Sequence, residues 1–284
     1  MSYKSVFARD LFKGQVIIVT GGGSGLGRCT AHELASLGAH AVIVGRSEDK
    51  LKDVVAEITD DGGHASYRIC DIRDEEAVKS TVSDTLRDHG RIDGLVNNAG
   101  GQYRSPMRDI STKGFEAVVR NNLLGGFLFM RETFVQWMEA HGGSIVNIIA
   151  DIENGWPNYA HSGAARGGMK TLSETAAAEW AHVGVRVNCV APGVIASSGF
   201  DTYPEEAFQY IRGLAKRMPM GRFGNEAEVS AAIVYLLTPA ATYVSGTTLR
   251  VDGAGPNARQ TLELEPASNQ YPYDGFHRAK PVRS

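Results

Sequence analysis

Residues 14–38 read GQVIIVTGGGSGLGRCTAHELASLG, and the reading of this stretch decides the fold. Val16 to Val19 are four consecutive β-branched residues, a run that suits a strand covered on both faces. Glycines and Ser24 follow as a turn, and from Leu26 the chain carries helix-forming residues up to Leu37 and Gly38. Strand, glycine turn and helix stand in the order that a dinucleotide-binding unit requires. Gly21, Gly25 and Gly27 permit a tight turn and close backbone approach, so a helix beginning near Leu26 can aim its first amides at a pyrophosphate.

Outward from this unit, short apolar runs alternate with longer amphipathic segments, the signature of βα repeats around a parallel sheet. Strands are expected at 15–20, 41–44, 66–69, 94–97, 144–149, 186–191 and 248–251. Helices are expected at 26–37, 48–60, 74–89, 112–139, 162–182 and 225–237. The fold class is therefore α/β: a single Rossmann-like, doubly wound domain over 1–255, with about seven parallel strands and helices on both faces. An amphipathic insertion at 197–223 falls where such sheets bind ligands and is expected to act as a substrate lid, or else as a plain connecting helix. Residues 256–284 turn polar and proline-containing without a period, and are expected to form an extended tail, lying on a neighbouring subunit or partly disordered.

The second strand ends Ala-Val-Ile-Val-Gly-Arg-Ser, without the acidic residue that would accept from an adenosine ribose 2′-hydroxyl. Arg46 stands there, and a guanidinium suits a 2′-phosphate through charge-assisted bidentate hydrogen bonds. NADP(H) is expected over NAD(H), with Ser24 adding a neutral hydrogen bond; the competing reading makes Arg46 a solvated residue beside Glu48 and Asp49. Asp71, after the third strand, is placed to meet the adenine amino edge, and Asn98 with Ala99 to lie under the adenosine ribose.

Composition excludes other classes. Lys and Arg number 29 against 32 Asp and Glu, a net charge of -3, so the bulk charge offers no nucleic-acid footprint and leaves room only for local basic patches. Cys29, Cys70 and Cys189 are widely separated with no CxxC spacing, which argues for reduced core thiols over a zinc site or disulfide framework. No metal is expected. No apolar stretch reaches the roughly 20 residues of a membrane span. The segment Met1 to Leu11 lacks the apolar run of a signal peptide, so cytoplasmic residence is the default expectation.

Further along stand Asn97-Asn98-Ala99-Gly100, Asn122 in RNNLLGG, and Ala191-Pro192-Gly193 after the sixth strand. With TGGGSGLG these motifs, in this order, resemble the short-chain dehydrogenase/reductase family over residues 13–255. The resemblance implies a homodimer or homotetramer, and extends the expected cofactor contacts to Ile72, Gly100, Arg166, Pro192, Gly193 and Ile195. The family's usual chemistry rests on an Asn-Ser-Tyr-x-x-x-Lys set, from which this sequence departs. Counted back from Glu179-Trp180, the Tyr-x-x-x-Lys places fall on Ser162 and Arg166, and the usual Ser falls on Ala150. Asn122 alone is unchanged.

A phenol with a lowered pKa relays protons at a reacting alcohol or ketone. A serine hydroxyl ionises far less readily, and a guanidinium does not release its proton near neutrality. Conjugate reduction of an enoyl thioester fits better, because donors can stabilise its enolate oxygen without deprotonating. HSGAAR at 161–166, VAPGVI at 190–195 and HGGSIVNII at 141–149 are similar to the peroxisomal trans-2-enoyl-CoA reductase branch, a neighbour of the 2,4-dienoyl-CoA reductases. The resemblance implies an NADPH-dependent reductase of acyl thioesters, with Asn122, Ser162, Arg166 and Tyr159 as candidate catalytic residues. Tyr159 is a candidate proton donor or an aromatic packed on Trp156, and Asp151 would be an acid if burial raised its pKa. Arg104, Arg212, Lys216, Arg217 and Arg222 are candidate phosphate contacts for coenzyme A or a solvated helix face. Phe200, Tyr203, Phe208 and Tyr210 are candidate linings of an acyl channel. The alternatives are a dehydrogenase of hydrophobic, terpenoid-like alcohols or aldehydes, and a non-catalytic NADP(H)-binding protein.

Overall fold

Alternation along β1 (Val16–Thr20) divides the core into two layers. Ile17 and Val19 enter one cluster of buried residues, Val16 and Ile18 the other, because successive strand side chains point to opposite faces. The same division runs through β2 (His40–Gly45), with Ala41 and Ile43 on one side and Val42 and Val44 on the other. The computed structural model describes residues 2–197, 213, 215, 218–258, 264 and 267–280. Of the expected lid, residues 198–212, 214, 216 and 217 lie outside them, including Phe200, Tyr203, Phe208, Tyr210, Arg212, Lys216 and Arg217.

Helices α1 (Gly25–Ser36) and α2 (Glu48–Asp60) lie on one face with α8 (Glu226–Leu237). The other face carries α3 (Glu75–His89), α5 (Gly125–Thr133) and α7 (Ala160–Trp180). Strands β3 (His64–Ile69), β4 (Gly94–Asn97), β5 (Gly143–Ile148), β6 (Val185–Pro192) and β9 (Thr248–Val251) complete a seven-stranded sheet in the order β3-β2-β1-β4-β5-β6-β9. Every pairing in it is parallel. The chain winds outward from β1 through β2 to β3 and from β4 through β5 to β6, so the winding direction switches between β1 and β4. A crevice opens there, beyond the strand carboxyl ends.

The seven strands agree with expectation to within two residues, and the doubly wound class stands. Two features differ. The helix expected over 112–139 is α4 (Thr112–Val119), α5 and α6 (Glu139–His141), joined by π-helical turns at Arg120–Leu124 and Phe134–Met138. The extra residue in each wide turn leaves hydrophobic periodicity nearly intact, so the sequence read as one helix. A second, two-stranded sheet pairs β7 (Ile195–Ala196) with β8 (Gly224–Asn225) in parallel and flanks the unassigned insertion. Residues this few carry no readable period.

The described part of the tail lies on its own chain. Phe276, 2% exposed, fills a notch formed by Tyr3, Cys29 and Ala227, and the Arg28 guanidinium sits 4.9 Å over its ring. Arg278 grips Asp61 through two hydrogen bonds of 2.9 Å each, and Lys4 N–H donates to the Gly275 carbonyl at 2.9 Å. One aromatic and one bidentate ion pair thus dock a segment without secondary structure. No helix among the described residues is long and apolar enough to cross a membrane. Cys29, Cys70 and Cys189 are free and buried.

Truncating Phe276 to Ala removes a buried aromatic, at a cost of about 3 to 5 kcal/mol when its site cannot collapse. The variant is expected to lose its last residues to limited proteolysis well before the wild type does, with the body of the domain intact by mass spectrometry.

Candidate active site

The glycine turn forms the wall of the crevice. Gly21 has a φ of 67° and Gly25 of 55°, left-handed values that disfavour any residue with a Cβ. A Cβ at Gly27 would stand 2.4 Å from the Gly21 carbonyl oxygen and 2.5 Å from Asn98 Nδ2, so the close helix packing needs glycine. Ser24 is the N-cap of α1, yet its side chain makes no capping hydrogen bond and no acidic residue lies in the first turn. The amides of this helix end are left open to an anion.

Asn98 braces the turn from the other side. Its Nδ2 donates to the Thr20 carbonyl at 3.0 Å, and Thr20 Oγ1 accepts from both the Asn98 and Ala99 backbone amides at 3.0 Å. Thr20, absent from the candidates read from sequence, therefore locks the ends of β1 and β4 together. The signal was its position as the last residue of β1, where a hydroxyl reaches the neighbouring strand.

Between these walls lies a cleft of about 310 Å³, lined by Gly21, Ser24, Arg46, Asp71, Ile72, Asn98, Ala99 and Gly100 among the expected residues. This is in the range of small-molecule sites. Lys50, Ser47, Cys70 and Asn121 line it as well and were not foreseen. Lys50 lies one helical turn beyond Arg46, a spacing that could have flagged it, but charge on an exposed helix is too common to stand out. Glu48, one of the acids flanking Arg46, pairs instead with Lys52 at 3.0 Å. Asp71 accepts from Arg73 Nε at 2.8 Å and from its backbone amide at 3.0 Å; these bonds hold its pKa down to about 2. It stays an ionised acceptor with lone pairs to spare. Of the remaining candidates, Leu26 packs against the core, Pro192 ends β6, and the Gly193 amide donates to the Val251 carbonyl at 3.0 Å. Ile195, the first residue of β7, is buried in the core.

Deeper in, Gly100 faces the catalytic candidates: a Cβ on it would stand 2.5 Å from Arg166 Nη2 and 2.6 Å from Asn122 Oδ1. Asn122 sits in the first π-turn, 2% exposed. Its Nδ2 donates to the carbonyls of Gly101 at 2.6 Å and Val118 at 2.9 Å, and its Oδ1 accepts from the Gly101 amide at 3.2 Å. Both amide protons are thus engaged with backbone, and Asn122 fastens the loop after β4 to α4.

Arg166 projects from the second turn of α7 and donates from Nη1 to the Ile148 carbonyl. Its Nε has no partner among the described residues. Burial lowers its pKa to about 10, and no carboxylate among the described residues offsets that loss, yet the group remains a cation at neutral pH. A buried, uncompensated cation is costly unless an electron-rich group meets it. Beside it a void of about 10 Å³, room for about one water, is bounded by Thr20, Asn122 and Arg166.

Ser162 and His161, in the first turn of the same helix, are both fully buried. The Ser162 amide donates to His161 Nδ1 at 2.8 Å, and the Ser162 hydroxyl lies 3.4 Å from the same nitrogen. Tyr159 is the N-cap residue, its ring centroid 5.0 Å from that of Trp156. Asp151 meets the condition set for it: burial, with the Asp252 charge, raises its carboxyl pKa. Arg222, a candidate phosphate contact, has Glu228 as its partner, through bonds of 2.9 and 2.6 Å. Glu228 also closes the capping box with Asn225 at the start of α8, so Arg222 serves that helix end instead. Arg104 is exposed.

Residues 21–254 match the model of a family described as enoyl-(acyl carrier protein) reductase. The chain belongs to the short-chain dehydrogenase/reductase family. It lies near the dienoyl-CoA reductase branch: it is 34% identical over 255 residues to the peroxisomal 2,4-dienoyl-CoA reductase of Danio rerio, covering 88% of this chain and 84% of that protein. A solved citronellol catabolism dehydrogenase from Pseudomonas aeruginosa is 56% identical, with a TM-score of 0.81, covering 89% of this chain and 99% of that one. A structure described as an NAD(P)-dependent gluconate 5-dehydrogenase from Beutenbergia cavernae, with NADP at low occupancy, is 33% identical with a TM-score of 0.82, covering 88% and 100%. The protein is thus an NAD(P)-dependent oxidoreductase, and the residues present fit that cofactor. The open end of α1, the cleft that Gly21 and Gly27 keep clear, and the buried unpaired cation of Arg166 are the features such a ligand requires. Bound there, a nicotinamide dinucleotide would supply or accept hydride.

Adding one methyl at Gly27→Ala forces the α1 turn against backbone. We expect a loss of about 1 to 3 kcal/mol in urea unfolding, together with loss of cofactor binding followed by nicotinamide fluorescence.

Proposed function

We propose that the protein is an NADPH-dependent reductase of the carbon-carbon double bond in enoyl thioesters of the trans-2-enoyl-CoA type. The observation that carries this reading is Arg166, a buried cation without a carboxylate partner among the described residues, standing with the buried Ser162 where a Tyr and a Lys would relay protons. Such a site favours a reaction whose developing negative charge needs stabilisation more than it needs a base. In conjugate reduction that charge appears on the thioester oxygen, and fixed donors in a water-poor site are most effective there. The likeness to dienoyl-CoA reductases supports the same substrate class.

NADPH is preferred over NADH because Arg46 and Lys50 border the cleft and no acid stands at the end of β2. Among the described residues Arg46 forms no ion pair, and a 2′-phosphate would give it one. We expect Arg46→Ala to weaken NADPH binding roughly ten- to a hundredfold, as losing a hydrogen bond to a charged group of about 1.5 to 3 kcal/mol implies. NADH binding should change little in the same titration.

A second reading, a dehydrogenase of hydrophobic terpenoid-like alcohols or aldehydes, is favoured by the 56% identity to the citronellol catabolism dehydrogenase. The two readings separate in one assay. We expect NADPH oxidation with crotonyl-CoA or longer trans-2-enoyl-CoA substrates and none with citronellal. Reduction of NADP+ by citronellol, with every enoyl thioester inert, would reverse the order.

A further inference from the structure

His161 is fully buried, stands beside Ser162, and appears in neither catalytic reading above. Its hydrogen bonds fix its chemistry. Nδ1 accepts from the Ser162 backbone amide at 2.8 Å, and an amide can only donate, so Nδ1 carries no proton and the neutral ring bears its proton on Nε2. The Ser162 hydroxyl, 3.4 Å from Nδ1, approaches the same lone pair. On the other side of the ring, Nε2 is buried and has no acceptor among the described residues. The Tyr103 ring packs on the imidazole edge-to-face, with centroids 4.5 Å apart. An N–H group left without an acceptor in a protein interior costs about 1 to 3 kcal/mol. Such a donor calls for an acceptor that the described residues do not supply.

Tyr103 belongs to the loop after β4, which Asn122 holds through Gly101 and which the Ser105 amide ties to the Asn158 carbonyl at 2.8 Å, just ahead of α7. The His161 side chain thus packs from α7, the helix that also carries Ser162 and Arg166, against this loop. Asn122 has both amide protons engaged with backbone. His161 Nε2 is an unengaged neutral donor among the described residues of this neighbourhood.

The geometry points to His161 as a catalytic residue, a neutral imidazole whose Nε2–H donates to the carbonyl oxygen of the acyl thioester. This assignment rests on the enoyl-thioester reading. Hydride transfer to Cβ from the reduced nicotinamide moves the double-bond electrons onto the thioester oxygen as an enolate. The Nε2 proton stays on the ring while its hydrogen bond to that oxygen shortens. A proton originating from solvent then adds to Cα as the carbonyl re-forms, leaving the saturated thioester and the oxidised cofactor. Ser162 acts through the imidazole by holding the Nδ1 side as an acceptor.

Two variants and one spectrum test this. His161→Phe keeps a ring against Tyr103 and removes both nitrogens, whereas His161→Gln retains a donor near the Nε2 position. With crotonyl-CoA and NADPH, we expect His161→Phe to lose about 10²- to 10³-fold in kcat, the range for removing one oxyanion donor. KM for NADPH should stay within a few-fold, and His161→Gln should recover at least tenfold of the loss. In the cofactor-free protein, nitrogen NMR of labelled imidazoles should show His161 as the Nε2–H tautomer. A His161→Phe enzyme within about threefold of wild type, or a His161 ring protonated on Nδ1 alone, overturns the assignment and leaves the enoyl-thioester reading standing. A wild-type enzyme inert toward every enoyl thioester removes both.

Discussion

The whole site depends on how closely α1 approaches the backbone that precedes it. With a prospective Cβ at Gly27 only 2.4 Å from the Gly21 carbonyl, the helix can begin where it does only because that side chain is absent. The approach lets Asn98 reach across from β4 to the Thr20 carbonyl and lets Thr20 Oγ1 collect two amides in return. Three elements are thereby fixed at the point where the sheet changes winding direction. Asn98 acts here as a structural brace: any ribose it meets is met by a side chain already held by the turn.

A second dependence runs from the π-turn to the chemistry. Residue Asn122 can reach both the Val118 carbonyl and the loop at Gly101 because the helix widens at 120–124. π-turns of this sort are frequent at functional sites, since the bulged residue is re-aimed without ending the helix. The loop so fastened carries Tyr103 to the His161 ring, and Gly100 to within contact of Arg166. Sheet register contributes from beneath: Asn97 Nδ2 donates to Asn147 Oδ1 at 2.9 Å across β4 and β5, and Asn147 in turn to Ser173 Oγ at 2.8 Å on α7. A buried polar chain that is fully paired sets α7 at one height on the sheet. Ser162 and Arg166 inherit their depth from it.

The seven strands, the doubly wound order and the glycine turn were legible because they rest on local periods and on glycine positions with steric meaning. Eight of the expected cofactor residues line the cleft for the same reason: they sit at strand ends, and strand ends were readable. What escaped was set by partners distant in sequence. Thr20 owes its role to residues at 98 and 99, Arg222 to Glu228, and the tail's resting place to Arg28 and Asp61. The two π-turns escaped because one extra residue per turn scarcely disturbs an apolar stripe. His161 was visible in the HSGAAR string, but its tautomer follows from an amide contact that only coordinates reveal.

The fold is shared by relatives with names as different as dienoyl-CoA reductase and citronellol catabolism dehydrogenase. The cofactor half of the crevice is built from backbone, glycines and strand ends, which constrain little beyond the dinucleotide. The reacting half is built from the first turns of α7 and the loop after β4, where one side chain decides whether the site can move a proton or only hold a charge. A phenol beside an ammonium does the first. A buried guanidinium, whose pKa of about 10 keeps it charged at neutral pH, does the second. Asn122 is engaged by backbone, and the Ser162 hydroxyl lies against His161 Nδ1. In the proposed conjugate reduction fixed N–H groups would stabilise an enolate without a change of protonation state.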